Sequence, residues 1–372
     1  MGRTKAKRLA RAAKYAPAPP EPDHDAPPIS ALLEKAQTLI VQCDYALAHK
    51  FTARILERDP TNTEAQEMLG VILVEIGELD SAKQTFLSIA SGPNPPPSAH
   101  LYLAQLSDDD PRQALQHYQA AIDILITQLK GKVKAQADTA ENAEDEVREN
   151  IVRAYVGSVE IWMDPAYDLC FEEDADVNCE RLLEQALQIS PGNSEALQSL
   201  ANVRLSQQRP DDARKCLEES WISWKDLDID DLRVPPIPTR LSLVRLFLEL
   251  ELYSPALLVL QGILSTDDQE VEAWYLEGWC CFLMAEKAKE TGEKIDDLAW
   301  EELASDARSH LEKCQRLHVQ EEHPDVPLLD HARELIKQLE ALGIHYVPED
   351  EDDGDGWEDV GSEGEDDDVD MS

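Results

Sequence analysis

This sequence is rich in carboxylates, which are side chains that can take part in binding or catalysis. The 372 residues include 76 Asp and Glu against 34 Lys and Arg, and the formal net charge is −42. Binding to nucleic acid phosphates depends on Lys and Arg, so this balance argues against direct nucleic acid binding. A surface rich in carboxylates attracts cationic groups instead. The composition therefore favours a basic protein as the partner.

The sequence carries none of the motifs of the common catalytic sites. We find no glycine-rich phosphate loop, no Gly-x-Ser-x-Gly nucleophile elbow and no His-Glu-x-x-His metal helix. The nine histidines are scattered, and we interpret His310, His318 and His323 as surface residues and not as metal ligands. Acidic pairs are too frequent to identify a general acid and its base. We therefore predict no enzyme activity, no metal site and no cofactor.

Cysteine usage and hydropathy indicate a soluble protein. The seven cysteines form no Cys-x-x-Cys pair and fall mostly in apolar runs, which favours reduced core residues in the cytosol or nucleus. No apolar run reaches the roughly 18 to 20 residues that a membrane-spanning helix needs. The longest run, 241–264, is interrupted by Arg245, Glu249 and Glu251. We therefore expect no membrane partner.

A repeated pair of helices is the element that positions the carboxylates of this sequence. Its best anchors are the similar stretches ILERDPTNTEA at 55–65 and ALQISPGNSEA at 186–196, each the end of one repeat and the start of the next. Gly70, Ala82 and Phe86 follow the first anchor at tetratricopeptide spacing. In that pattern a small residue lies where two helices cross, and an aromatic ring fills the space where they diverge.

The same pattern recurs along the chain with varying fidelity. A fourth, weaker pair is assigned to helices at 144–163 and 178–189, and a last amphipathic helix at 326–342 caps the array. The predicted fold class is all-α: a right-handed superhelical solenoid of about seven tetratricopeptide-type helical pairs with a C-terminal capping helix.

Composition divides the chain into three parts. Residues 1–28 form a basic and then Pro-rich segment that we expect to be disordered. Residues 29–346 form the tetratricopeptide-repeat solenoid. Residues 347–372 carry 14 acidic residues and no basic one, so we predict an acidic tail kept disordered by self-repulsion.

The first segment contains a cluster of basic residues that we interpret as a nuclear targeting signal. Its members are Arg3, Lys5, Lys7, Arg8, Arg11 and Lys14. The Arg- and Ala-rich composition also fits a mitochondrial presequence, and a third reading is a solvated tail without function.

Partner selection in such a solenoid falls to the first helix of each pair, which lines the concave face. Counting from the anchors gives the predicted partner-binding residues Glu64, Glu67, Glu75, Asn202, Glu249, Tyr275, Trp279 and Phe282. Acids interspersed with aromatic rings suit an extended peptide rich in Lys and Arg. Two alternatives remain open: the acids form a solvated face, and Tyr275 and Trp279 pack between helical pairs.

One familiar ligand is excluded by the same positions. Tetratricopeptide domains that hold the acidic C-terminus of heat-shock chaperones use a clamp of Lys, Asn and Arg on successive first helices. Here the corresponding places hold Leu33, Gln37, Met68, Ser98 and Tyr102. The clamp is absent, and an acidic groove has the wrong charge for a carboxylate.

Several segments together resemble a known family. They are the basic start MGRTKAKRLARAAKY, irregular repeats that include LERDPTNTEAQEMLGVILVEIGELDSAKQTF, the stretch PTRLSLVRLFLELELYSPALLVLQGIL and an acidic end with DGWEDV. The layout resembles the fungal assembly chaperones dedicated to large-subunit ribosomal protein four. The resemblance implies capture of the newly made ribosomal protein, shielding of its long basic loop in the concave groove, escort into the nucleus and release on the pre-60S particle.

The resemblance also implies a protein of the cytoplasm and nucleus, and we expect the free chain to be a monomer. Two other functions fit the residues alone. A general tetratricopeptide scaffold would bind a folded, neutral partner, and a histone chaperone would share the acidic tail and the basic client. The identity of the bound protein separates the three.

Overall fold

The computed structural model of the chain describes residues 27–135, 141–229, 231 and 233–345. In these residues the chain forms fifteen α-helices and one short 3-10 helix. The basic cluster at 3–14 and the acidic tail at 347–372 lie outside the described residues. The all-α class predicted from the sequence is confirmed.

The helices follow one another with short connections. In chain order they are α1 (Ile29–Val41), α2 (Tyr45–Arg58), α3 (Thr63–Glu75), α4 (Leu79–Ala90), α5 (Pro97–Gln105), α6 (Pro111–Ala135), α7 (Glu141–Met163), the 3-10 helix (Asp168–Phe171), α8 (Ala175–Ile189), α9 (Ser194–Ser206), α10 (Pro210–Ile222), α11 (Ile237–Glu249), α12 (Tyr253–Leu264), α13 (Val271–Thr291), α14 (Trp300–Gln320) and α15 (Val326–Ala341).

The chain divides into two compact units between Val203 and Arg204. In the first unit α1 packs on α2, α3 on α4, α5 on α6 and α7 on α8. In the second unit α11 packs on α12 and α13 on α14, while α15 packs against both α13 and α14. Each unit is thus built from successive helical pairs, and α15 lies where the predicted capping helix was expected.

Small residues are required where paired helices cross. A Cβ atom added to Gly70 on α3 would lie 2.5 Å from Cζ of Phe86 on α4. One added to Gly278 on α13 would lie 2.7 Å from Cγ of Leu311 on α14. Phe86 and Leu311 are fully buried. The small-residue and large-residue pattern read from the sequence therefore reports a close helix–helix contact in each unit.

The two sequence anchors mark the same kind of helix start. The Asn62 side chain accepts a hydrogen bond from the backbone N–H of Ala65 at 2.9 Å, and Asn193 accepts one from Ala196 at 3.0 Å. An asparagine in this place satisfies a backbone donor that the first helical turn leaves free. The likeness of the anchors thus has a physical cause, because each begins the first helix of a pair.

The weak fourth pair is a genuine pair of packed helices, α7 and α8. Both begin three residues earlier than predicted, at Glu141 and Ala175, and the long connection between them contains the 3-10 helix. The later insertion lengthens α13 as far as Thr291, where Gly292 ends the helix with a φ of +70°. Trp300 then begins α14, and the Lys289 ammonium lies 4.7 Å from its ring centroid.

All seven cysteines are free, and Cys179, Cys216, Cys280, Cys281 and Cys314 are buried. Burial raises the pKa of the Cys179 thiol to about 12, which keeps it protonated and unreactive at neutral pH. Among the described residues, none of the helices combines the length and the apolar character of a membrane-spanning segment. The same residues contain no group of three or more His, Cys, Asp or Glu that could hold a metal ion.

Candidate partner-binding face

Two carboxylates lie between the first helices of the first two pairs. Glu34 on α1 and Glu64 on α3 line a groove of about 710 Å³, together with the apolar side chains of Leu33, Val41 and Met68. Glu34 and Glu64 are exposed. The groove thus combines apolar walls with negative charge, which suits the aliphatic stem and charged end of Lys or Arg.

The next contact joins α3 to α5. The Glu67 carboxylate accepts a hydrogen bond from the Ser98 hydroxyl. The Tyr102 ring on α5 stacks on Phe86 with a centroid distance of 4.7 Å. Burial raises the pKa of Tyr102, and the nearby charges of Glu75 and Glu67 raise it further. A half-buried aromatic ring therefore lies beside two carboxylates on this side of the unit.

A cavity of about 380 Å³ continues the pattern from α5 to α7 and α9. Glu160 on α7 and Glu195 on α9 line it, with Arg153 and Tyr102. Partial burial raises the pKa of Glu160, and the charge of Glu195 adds to the effect. Partial burial also raises the pKa of Glu195, while Arg153 opposes the increase.

We call these carboxylates of the first unit the acidic face: Glu34, Glu64, Glu67, Glu75, Glu160 and Glu195. All six lie on first helices of their pairs. Like charges held close together raise each other's free energy, and a bound cation relieves that repulsion. A Lys or Arg side chain placed between Glu160 and Glu195 would also gain charge-assisted hydrogen bonds. The face can therefore hold a basic segment of another protein.

The predicted partner-binding residues divide between the two units. Glu64, Glu67 and Glu75 belong to the acidic face, and Asn202 is exposed on α9 of the first unit. Glu249 is exposed on α11 of the second unit. These five side chains are accessible to a partner, and their binding role stays a prediction.

The aromatic residues of the second unit mainly pack against its last helix. The Tyr275 hydroxyl lies 2.7 Å from Nδ1 of His331 on α15. The Trp279 ring meets the His331 ring edge-on, with centroids 5.6 Å apart, and lies 5.9 Å from Tyr275. Both aromatic side chains are half-buried. Both rings thus pack within the folded unit, although against the capping helix α15 and not between two helical pairs, and their binding role stays a prediction.

Phe282 is not available to a partner as predicted. Its side chain is only 5% exposed. Helix α13 is buried on most of its sides, since it packs against α11, α12, α14 and α15. Helical spacing places Phe282 next after Tyr275 and Trp279, but its side chain lies in the core of the second unit.

Counting from the anchors missed three members of the acidic face. Glu195 occupies the same place in GNSEA that Glu64 occupies in TNTEA, so a direct alignment of the anchors would have found it. Glu160 lies in the fourth pair, whose register was the least regular. Glu34 lies on α1, before the first anchor, so counting forward from that anchor does not reach it.

Comparisons with known proteins support the fold and its family. A family profile described as tetratricopeptide repeat matches residues 180–221. A protein of Emericella nidulans named probable assembly chaperone of rpl4 is 33% identical over 358 residues, which cover 90% of this chain and 86% of that protein. A Schizosaccharomyces pombe protein of the same name is 30% identical over 300 residues, which cover 79% of this chain and 85% of the relative.

A solved structure agrees with these relatives. It is described as the assembly chaperone of RpL4, Acl4, residues 1–338, and matches with a TM-score of 0.63 at 31% identity. The match covers 72% of this chain and 100% of that chain. The tetratricopeptide-type fold and the resemblance drawn from the sequence are both confirmed. By its sequence, its fold and these relatives, the chain belongs to the family of the assembly chaperones of rpl4.

Proposed function

We propose that this protein is a dedicated chaperone of newly made large-subunit ribosomal protein four and that its acidic face holds the client's basic loop. The client is the one after which its relatives are named. The acidic face carries the proposal physically, because it presents carboxylates on four first helices of a single unit. The protein acts by binding and not by catalysis.

The charge of the whole chain supports this function. A net charge of −42 creates a negative potential that draws a basic loop toward the protein. A ribosomal protein with a basic loop that folds only on RNA otherwise binds RNA or other polyanions at random. Carboxylates that occupy the loop compete with RNA phosphates for the same Lys and Arg side chains. The chaperone thereby keeps the client apart from nucleic acid and binds none itself.

The remaining steps are those that the resemblance to this chaperone family implies. The basic cluster from Arg3 to Lys14 acts as a nuclear targeting signal, so the complex forms in the cytoplasm and enters the nucleus. The free protein is a monomer, and it releases its client on the pre-60S particle. Residues 1–28 and 347–372 flank the repeat region as a basic segment and an acidic tail.

The binding role of the acidic face is tested by neutralising Glu160 and Glu195, the two carboxylates that line the cavity between α5, α7 and α9. We expect Glu160→Gln with Glu195→Gln to weaken binding of the labelled basic loop about 10- to 100-fold, because two charge-assisted contacts are lost. Fluorescence anisotropy of the full chain measures the affinity. Raising the salt concentration should weaken the unmodified protein more than the double variant, since fewer ion pairs remain to be screened.

A matched control removes the same charge elsewhere in the same unit. Glu57 on α2 and Glu184 on α8 are exposed carboxylates of second helices. Glu57→Gln with Glu184→Gln should change the affinity less than about two-fold, which is the effect of general charge alone. Equal losses in the two double variants would contradict binding at the acidic face. Tighter binding of histones than of ribosomal protein four would instead favour a histone chaperone.

A further inference from the structure

The second unit contains a cavity on the side of α10 and α12 that the proposed function does not use. It has a volume of about 310 Å³. Its walls come from α10, from the connection that precedes α11, and from α11 and α12, and include Trp221, Trp224, Lys225, Arg240 and Leu258. Leu258 is 56% exposed at its rim. The cavity thus joins aromatic and aliphatic surface to two cationic side chains.

Two buried hydrogen-bond donors in this cavity have no acceptor. The Arg240 side chain is 6% exposed, and its Nε atom has no hydrogen-bond partner among the described residues. The Trp224 side chain is 7% exposed, and its indole N–H is likewise unpaired there. Burial lowers the pKa of Arg240. A buried guanidinium without a counterion is costly, and buried donors are nearly always satisfied.

The chemistry of the missing partner follows from these groups. Two unpaired donors require an acceptor, and a guanidinium prefers a carboxylate. The indole rings favour an aromatic or aliphatic neighbour beside that carboxylate. One acid, Asp226, also lines the cavity, but it is exposed and leaves the Arg240 Nε atom without a hydrogen-bond partner. A basic loop does not fit here, because it would bring more positive charge to Arg240 and Lys225.

We propose that the cavity binds the Trp357-Glu358-Asp359 segment of this chain's own acidic tail. Residues 347–372 carry 14 carboxylates and no basic residue, with Trp357 as their one aromatic residue. A carboxylate from Glu358 or Asp359 meets Arg240, and the Trp357 ring lies against Trp221 and Trp224. The site is independent of the client and of the acidic face.

The chain is long enough to make this contact within one molecule. The Arg308 guanidinium donates a 2.6 Å hydrogen bond to the carbonyl of Ile344, which holds the start of the tail against α14. Trp357 follows His345 by 12 residues, and 12 extended residues reach about 40 Å. Between α15 and α12 lies α13, which packs on both. Two such helix spacings amount to about 20 Å.

Site-specific crosslinking in the full-length chain tests the contact. A photoreactive benzoylphenylalanine replaces Val360, and mass spectrometry maps the products after irradiation of the dilute protein. We expect crosslinks within the same molecule to residues 221–229 and 234–262. Arg240→Met, which keeps an unbranched side chain, should lower their yield about ten-fold, as should Trp357→Ala in the tail.

Arg333→Met supplies the matched control, since it removes an exposed arginine of α15 and should leave the yield unchanged. Circular dichroism checks that Arg240→Met remains folded, and Trp357→Ala tests the same contact from outside the folded pairs. Crosslinks at other places, crosslinks between two molecules, or yields unaffected by Arg240→Met and Trp357→Ala would each overturn the proposal.

Discussion

The first helices of the two units carry different kinds of surface. Helix α3 in the first unit buries Ala65, Met68 and Ile72 and leaves Glu64 and Glu75 exposed. Helix α13 in the second unit is buried on most sides, and even the carboxylate residue Glu277 is only 7% exposed. The same position in the repeat thus presents a partner-facing surface in one unit and an internal helix in the other.

Position within a repeat therefore does not by itself define a binding surface. Helix α13 is enclosed because α15 packs against it and against α14. Tyr275 and Trp279 contact His331 of α15, so aromatic residues that would suit a cationic partner stabilise the end of the unit. In the first unit, by contrast, Glu64, Glu75 and Glu195 of the acidic face are exposed.

The buried ring of Phe282 in the second unit should be the most sensitive of these side chains to substitution. Phe282→Ala should lower the free energy of unfolding by about 3–5 kcal/mol, because it leaves a cavity in the core. Urea denaturation followed by circular dichroism measures the change. Glu75→Ala, on the exposed side of α3, should change stability by less than about 0.5 kcal/mol. Similar losses for the two variants would contradict the contrast between the helices.

The second prediction uses the buried acid of α13. Burial and the charge of Asp306 raise the pKa of Glu277 to about 7 from an ordinary 4.5, although His310 lies 3.9 Å away. Protonated Glu277 stabilises the fold fully below pH 4.5, and this contribution is lost as the pH rises through about 7. Glu277→Gln should therefore raise the free energy of unfolding by about 3 kcal/mol at pH 8 and change it little near pH 4.5.

Denaturation curves from pH 4.5 to pH 8 test this expectation. Glu301→Gln, an exposed acid on α14, serves as control and should follow the unmodified protein at every pH. If Glu277→Gln destabilised the protein across the whole range, its carboxylate would have to be ionised and paired in the folded state.

Local contacts between neighbouring helices could be predicted from the sequence, whereas the packing of the last helix could not. Gly70 with Phe86, and the asparagines of the two anchors, identify the helical pairs because each reports a local contact. The enclosure of Phe282 depends on how α15 packs, which the periodicity of α13 alone does not reveal. That helix is apolar around most of its surface, so no single side stands out. Glu195 could have been predicted, because an alignment of the two anchors gives it the position that Glu64 occupies.

A smaller loss of stability is expected at the contact between α13 and α15. His331→Ala removes the hydrogen bond with Tyr275 and the edge-on contact with Trp279, which should cost about 1 kcal/mol. Hydrogen exchange should become faster in α15 first. Unchanged exchange in α15 would mean that the aromatic contacts do not hold this helix, and the face of Tyr275 and Trp279 would then be open to a partner.

The smallest effect separates two exposed acids at corresponding first-helix surfaces. Glu64→Gln in the first unit should weaken binding of the client loop about three-fold, because one charge of the acidic face is lost. Glu249→Gln in the second unit should leave the affinity within about 1.5-fold. Anisotropy titrations of the two variants side by side decide the matter, and a larger loss for Glu249→Gln would move the binding surface to the second unit.

Carboxyl footprinting tests whether the client binds at the acidic face. The free protein and its complex with large-subunit ribosomal protein four are labelled at Asp and Glu side chains, and mass spectrometry gives the extent at each site. We predict that Glu64, Glu75, Glu160 and Glu195 lose most of their reactivity in the complex, while Glu57 and Glu184 keep theirs. Protection of Glu57 and Glu184 with the acidic face still reactive would show that the client does not bind at the acidic face.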